Sequence, residues 1–128
     1  MAGETNLRTL LRDMSPVLHD EAYVFTIVSF EVPLGVRPVV TVQEREGLTL
    51  VVKKSEADAL GLSYDNVAAW ITLEVHSALE AVGLTAAISN VLKDAGISCN
   101  VVAGYTHDHL FVPVDRSQNA LAALRTLA

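Results

Sequence analysis

The chain reads as an α+β protein of two small modules, each an antiparallel sheet with helices on one face, and three observations carry that reading. Stretches of alternating apolar residues, the pattern of half-buried strands, are interleaved with runs at helical spacing. The stretch Gly47 to Ser55 is echoed 62 positions later by His109 to Ser117, with Leu48 aligned on Leu110, Leu50 on Val112, Val52 on Val114 and Ser55 on Ser117. Each copy is a strand running into a helix start, as expected of a repeated supersecondary unit. Finally, a chain of 128 residues, 51% of them apolar, suffices for one compact body. Two half-size modules would each be marginal alone. The modules are expected at residues 1–67 and 68–128, completing one another's sheets, with neither half folding by itself.

In order, Thr5 is expected to cap a helix whose Leu7, Leu10, Leu11 and Met14 fall at helical spacing, ended by Ser15 and Pro16. Val17 to His19 and Ala22 to Ser29 read as strands about an Asp20-Glu21 turn, the second rich in β-formers on both faces. Phe30 to Pro38, with two prolines and a glycine, is a loop. Val39 to Gln43 and Leu48 to Lys53 pair about Glu44 to Gly47. Ser55-Glu56-Ala57-Asp58 reads as a capping box opening a short helix that Gly61 ends, and Leu62 to Val67 connects.

In the second copy Ile71, Leu73 and Val75 alternate with Thr72, Glu74 and His76, so one strand face is buried and the other polar. After Ser77 to Gly83, a helix carries Leu84, Ala87, Ile88, Val91, Leu92 and Ala95 on one stripe, with Gly96 as its stop. Ile97 to Gly104 is a strand, Tyr105 to Asp108 a turn and His109 to Val114 a strand. Asp115 to Gln118 is a second capping box, opening a helix with Leu121, Leu124 and Leu127 inward. This is β-α-β-β-α, one strand short of the ferredoxin-like βαββαβ arrangement. The first copy lacks a helix but carries an additional helix and strand at its front. Leu7 to Met14 and Val17 to His19 are therefore expected to supply missing elements by exchange, interlocking the modules.

Composition narrows the function. A net charge of −6 with only nine scattered Lys and Arg disfavours nucleic acid. No apolar run reaches membrane-spanning length, and Met1 to Asp13 carries charges where a leader would be apolar, so a cytoplasmic protein without a membrane partner is expected. Cys99, the single cysteine, reads as a small buried residue with no neighbouring base. His107 and His109 would share a strand face, but third and fourth ligands are not identifiable and no spacing links them to His19 or His76, so no metal is expected. No nucleophile-base-acid order, phosphate-cradling glycine motif or paired carboxylates point to catalysis, and no cofactor is implied. Glu31, Glu44 and Glu46 read as solvated loop charges.

Val82-Gly83-Leu84 opening a helix and Ala95-Gly96-Ile97-Ser98 entering a strand resemble the ACT domain family. So does the segment Gly104 to Pro113 with the upstream Gly47 to Val52. The combination is similar to small stand-alone tandem ACT proteins related to the regulatory ACT pair of aspartate kinases and to CASTOR-type amino-acid sensors. The resemblance implies a non-catalytic regulatory module binding a free amino acid or similar metabolite at the seam between ACT modules. It implies a ligand loop between a module's first strand and first helix, here Glu80 to Thr85. Helix physics favours the same place: the first amides of the helix beginning at Leu84 are unpaired and lie at its positive dipole end, where a carboxylate docks. Gly83, after Val82, allows close backbone approach and Thr85 offers a hydroxyl. Asp108, with His107 beside it, is the expected partner of the ligand's ammonium. The rival reading is an oligomerisation or docking module with an apolar seam, against which Ser77, Asn100, Thr106 and Asp108 place polar groups near strand ends. Exposed strand edges predict a homodimer.

Overall fold

The computed structural model describes residues 6–75 and 83–128. In chain order the elements are α1 (Leu7–Asp13), β1 (Ser15–Val28), β2 (Val40–Gln43), β3 (Leu48–Lys53), α2 (Lys54–Leu60), β4 (Val67–Glu74), α3 (Leu84–Asp94), β5 (Asn100–Ala103), β6 (Asp108–Pro113), a 3-10 turn (Val114–Arg116) and α4 (Ser117–Arg125). The chain groups into two compact units, one of Met1–His19 with Ala69–Ala128 and the other of Asp20–Ala68.

The first unit is α+β, with strand order β1-β4-β6-β5. Its fourth strand is the front of β1, which the C-terminal half of the chain does not itself contain. β5 and β6 form an antiparallel hairpin pairing Asn100 with Phe111 and Ala103 with Asp108. Alternation places Ile71 and Leu73 of β4 and Leu110 and Val112 of β6 on one face, all essentially inaccessible. The helices cover that face. α3 contributes Leu84, Ile88 and Leu92 at i, i+4, i+8, α4 contributes Ala120, Leu121 and Leu124, and α1 contributes Leu10. Each such leucine or isoleucine gains roughly 2 kcal/mol by leaving water. α1 is capped by Asn6, whose Oδ1 accepts the Thr9 amide at 3.0 Å. The expected cap, Thr5, lies outside the described residues.

The second unit has strand order β2-β3-β1, antiparallel throughout. Tyr23 pairs with Lys53 and Val28 with Leu48. Val24, Leu50 and Val52 form its core with Ala57 of α2 and Val36 of the preceding loop.

Three local expectations are corrected. Asp20-Glu21 is not a turn: β1 runs unbroken for 14 residues. The charged pair sits at exposed strand positions, and Glu21 meets Lys53 Nζ at 2.8 Å, so strand formers on both sides prevail. Neither capping box forms, because β3 passes directly into α2 with Lys53 at the cap position and α4 starts at Ser117 itself, behind the 3-10 turn. The repeat is real but spaced by 60 residues rather than 62. The hairpin bonds Glu44 N–H to Gly47 O and Gly104 N–H to His107 O correspond, both 2.9 Å. Leu50 therefore matches Leu110, and Val52 matches Val112. A slip of two residues preserves the inside-outside alternation, so the sequence pattern alone cannot reject it.

Candidate functional site

Five of the six expected ligand residues are described, all in the first unit; Val82 lies outside the described residues, as do Glu80, His76 and Ser77. Gly83 is the N-cap of α3 with φ 97°, a conformation open to glycine, and it has no side chain to cap the helix. The Ala87 amide is the one that bonds the Gly83 carbonyl, at 2.9 Å. Leu84 begins the helix with its side chain buried, while Thr85 is exposed at the same turn. The side chain of Leu7 in α1 closes over Gly83: a Cβ there would meet Leu7 Cδ2 at 3.1 Å. Leu7 also lines a groove of about 830 Å³ with Asn6, Arg8, Leu11, Arg12 and Leu127.

Asp108 opens β6 and is half-buried, which pushes its carboxyl above the ordinary range by desolvation, against the pull of His109 and His107. The His107 ring donates from Nδ1 to the Val75 carbonyl at 3.3 Å. That contact brings the turn before β6 to the end of β4. No described contact joins Asp108 to Thr85.

The opposite face of the same sheet carries a polar cluster that local patterns do not reveal. The His19 imidazole from β1 stacks on the Trp70 indole from β4, ring centroids 3.5 Å apart and planes 8° apart. Thr72 Oγ1 lies 2.8 Å from His19 Nε2 and 3.1 Å from His109 Nδ1. Trp70 Nε1–H donates to the same His109 Nδ1 at 3.1 Å. Phe111 lies beyond, its ring 6.3 Å from Trp70. Thr72, on the strand face expected to be polar, is only 6% exposed. His19 is linked to His109 after all, through tertiary pairing. Among the described residues no group of three or more His, Cys, Asp or Glu is disposed to hold a metal. Burial pushes the Cys99 thiol up to about 11, against the first unit's core.

Family models divide the chain along its sequence, with the front of the chain in the first match although it packs in the first structural unit with Ala69–Ala128. An ACT domain model matches residues 2–69 and a second ACT domain model matches residues 67–126. No protein of curated function matches. A Vibrio cholerae protein of unknown function, described as a possible transport protein, has a similar structure with TM-score 0.87 and 47% identity over 95% of each chain. An Agrobacterium tumefaciens protein reaches TM-score 0.75 at 16% identity, over 89% of this chain and 88% of that one. The ligand-free regulatory subunit of aspartate kinase from Thermus thermophilus reaches TM-score 0.66 at 10% identity, over 88% of this chain and 95% of that one.

Proposed function

The chain belongs to the ACT domain family, with two domains in tandem, and from that premise we propose that it is a non-catalytic regulatory protein of the cytoplasm that binds a free amino acid or similar small metabolite. The observation that carries the reading is the tandem pair itself, an arrangement whose fold recurs in a kinase regulatory subunit. In support, α3 starts at a glycine with no capping side chain, leaving its first amides for a carboxylate. Val82, Gly83, Leu84 and Thr85 hold that end of the ligand; Asp108, with His107 beside it, takes the ammonium. The groove lined by Leu7 also carries Arg8 and Arg12, the latter paired with Asp13 at 3.1 Å, and this basic lining favours an anionic group at this end. Binding acts by linkage, stabilising one arrangement that a downstream partner reads.

Pairing of two copies is a second role, favoured by apolar side chains exposed on one sheet face of the second unit. Phe25 and Ile27 of β1 and Val42 of β2 are 39%, 52% and 47% exposed. Ile27 and Val42 both pair with Thr49, so they flank it on one row. Covering such a face is the usual work of an interface.

A thermal-shift panel of the twenty amino acids tests the binding role. Ligand at 100 times its dissociation constant adds about 2.7 kcal/mol, a shift of several degrees for a chain of this size. No shift with any of them, together with a dimer in solution, would replace the sensor reading with the docking one.

A further inference from the structure

We propose that His19, Trp70, Thr72 and His109 form a proton-operated latch across β1, β4 and β6: a proton on His19 is accommodated, whereas a proton on His109 opens the cluster. The assignment rests on donor and acceptor counting. An indole N–H can only donate, so His109 Nδ1, 3.1 Å from Trp70 Nε1, must accept. The folded state thus holds His109 neutral, with its ring proton on Nε2.

Thr72 has one hydroxyl proton and two lone pairs, and its oxygen stands between two ring nitrogens, 2.8 Å from His19 Nε2 and 3.1 Å from His109 Nδ1. If His19 Nε2 is bare, the hydroxyl donates to it. If His19 is protonated, Nε2–H donates to a lone pair of Thr72 Oγ1, and the hydroxyl proton rotates away from His19. The charged imidazole then lies against the Trp70 face at 3.5 Å, a cation-π geometry. Rotation of a single hydroxyl covers both states.

Protonation of His109 costs the cluster a bond. Nδ1–H can turn only to Thr72 Oγ1, 3.1 Å away, and in doing so it confronts Trp70 Nε1–H, donor against donor at 3.1 Å, so the Trp70–His109 bond breaks. The ring packs close to Gly104, where an added Cβ would stand 3.1 Å from His109 Nε2. The titratable groups acting on His109 among the described residues are His107 on the adjoining turn, His19 from β1 and Asp108 beside it; Trp70 and Thr72 from β4 carry no charge. Desolvation, then His107 and His19, hold the His109 imidazole below its ordinary 6.5, and Asp108 opposes them. The folded state binds fewer protons than the unfolded one, so this contribution to stability is complete above pH 6.5 and is lost as pH falls through the lower folded-state value. The strands that the cluster ties together loosen in acid.

Trp70 is the chain's single tryptophan, so its indole N–H resonance and emission report on the latch without labelling. An acid titration of the full chain from pH 8 to 4 should move the indole N–H resonance in one step below pH 6.5, together with the His109 ring protons and a red shift of emission. His109→Asn keeps an acceptor near the Nδ1 position that cannot take a proton and should abolish the step. His19→Gln keeps a bond to Thr72 and should retain it. A step that survives His109→Asn, or an indole N–H that stays unmoved while His109 titrates, would overturn the proposal. If His109→Asn does not fold, the wild-type coincidence of the two resonances decides alone.

Discussion

The imidazole of His19 lies flat on the indole of Trp70, 3.5 Å between centroids and 8° between planes. This contact joins the front of β1 to β4, residues 51 positions apart, within one unit. Offset aromatic contacts add roughly 0.5–1.5 kcal/mol beyond burial. A double-mutant cycle of His19→Ala and Trp70→Ala, measured by urea unfolding, should return a coupling in that range. Trp70→Ala alone should cost about 3 kcal/mol, the low end for aromatic truncation because the ring is only partly buried.

Two glycines with positive φ should respond very differently to alanine. Gly61, at φ 65°, has nothing within 4 Å of an added Cβ, so Gly61→Ala should cost only the left-handed penalty of about 1–2 kcal/mol. At Gly47, φ 155°, the added Cβ would stand 2.4 Å from the Val28 carbonyl, on the strand paired with β3. Moving backbone in a sheet is expensive, and Gly47→Ala should cost about 3 kcal/mol or more in the same assay.

Cys99 should behave as an inert thiol. Raising its pKa from 9.0 to about 11 by burial leaves roughly a hundredfold less thiolate near pH 8 than an unshifted cysteine would have. Alkylation by iodoacetamide should accordingly be slow in the native protein and accelerate strongly in urea.

Asp108 should trade stability against binding. Its folded-state pKa is raised by desolvation, so its contribution to stability is fully present below the unfolded value of 3.8 and is lost as pH rises through the folded value. At neutral pH the ionised carboxylate therefore subtracts from stability. Asp108→Asn should melt higher than the parent at pH 7, with the difference closing towards pH 3.5. The same variant should weaken binding of a responding amino acid by about 10- to 100-fold, as expected for loss of a charge-assisted hydrogen bond.

Local patterns reveal the parts of this fold that are locally encoded. The stripe Leu84, Ile88, Leu92 fixes α3, Gly61 and Gly96 mark helix ends, and the hairpin about Glu44 to Gly47 follows from alternation and turn chemistry. Strand exchange is inferable because β-α-β-β-α lacks one strand and the N-terminus carries a spare one. The Trp70 cluster is a different matter. Trp70 and Thr72 share a face of β4 by parity, as do His109 and Phe111 of β6, but nothing nearby in sequence says that these faces meet. Pairing over 37 to 53 residues brings Thr72 to His109 and His19 and removes its hydroxyl from water. Asp20-Glu21 fails as a turn for the same kind of reason: Lys53 on the partner strand satisfies Glu21 in place. The start of α3 is legible as a glycine before an apolar stripe, whereas the Leu7 side chain closing on Gly83 comes from a helix more than 70 residues away.

Titration of isotopically labelled protein with the amino acid that gives the largest thermal shift, followed by amide chemical shifts, tests the sensor reading most directly. The account predicts that the largest changes fall on Gly83, Leu84 and Thr85 at the start of α3 and on His107 and Asp108. Changes centred instead on Phe25, Ile27 and Val42, or none while the protein remains folded, would contradict it.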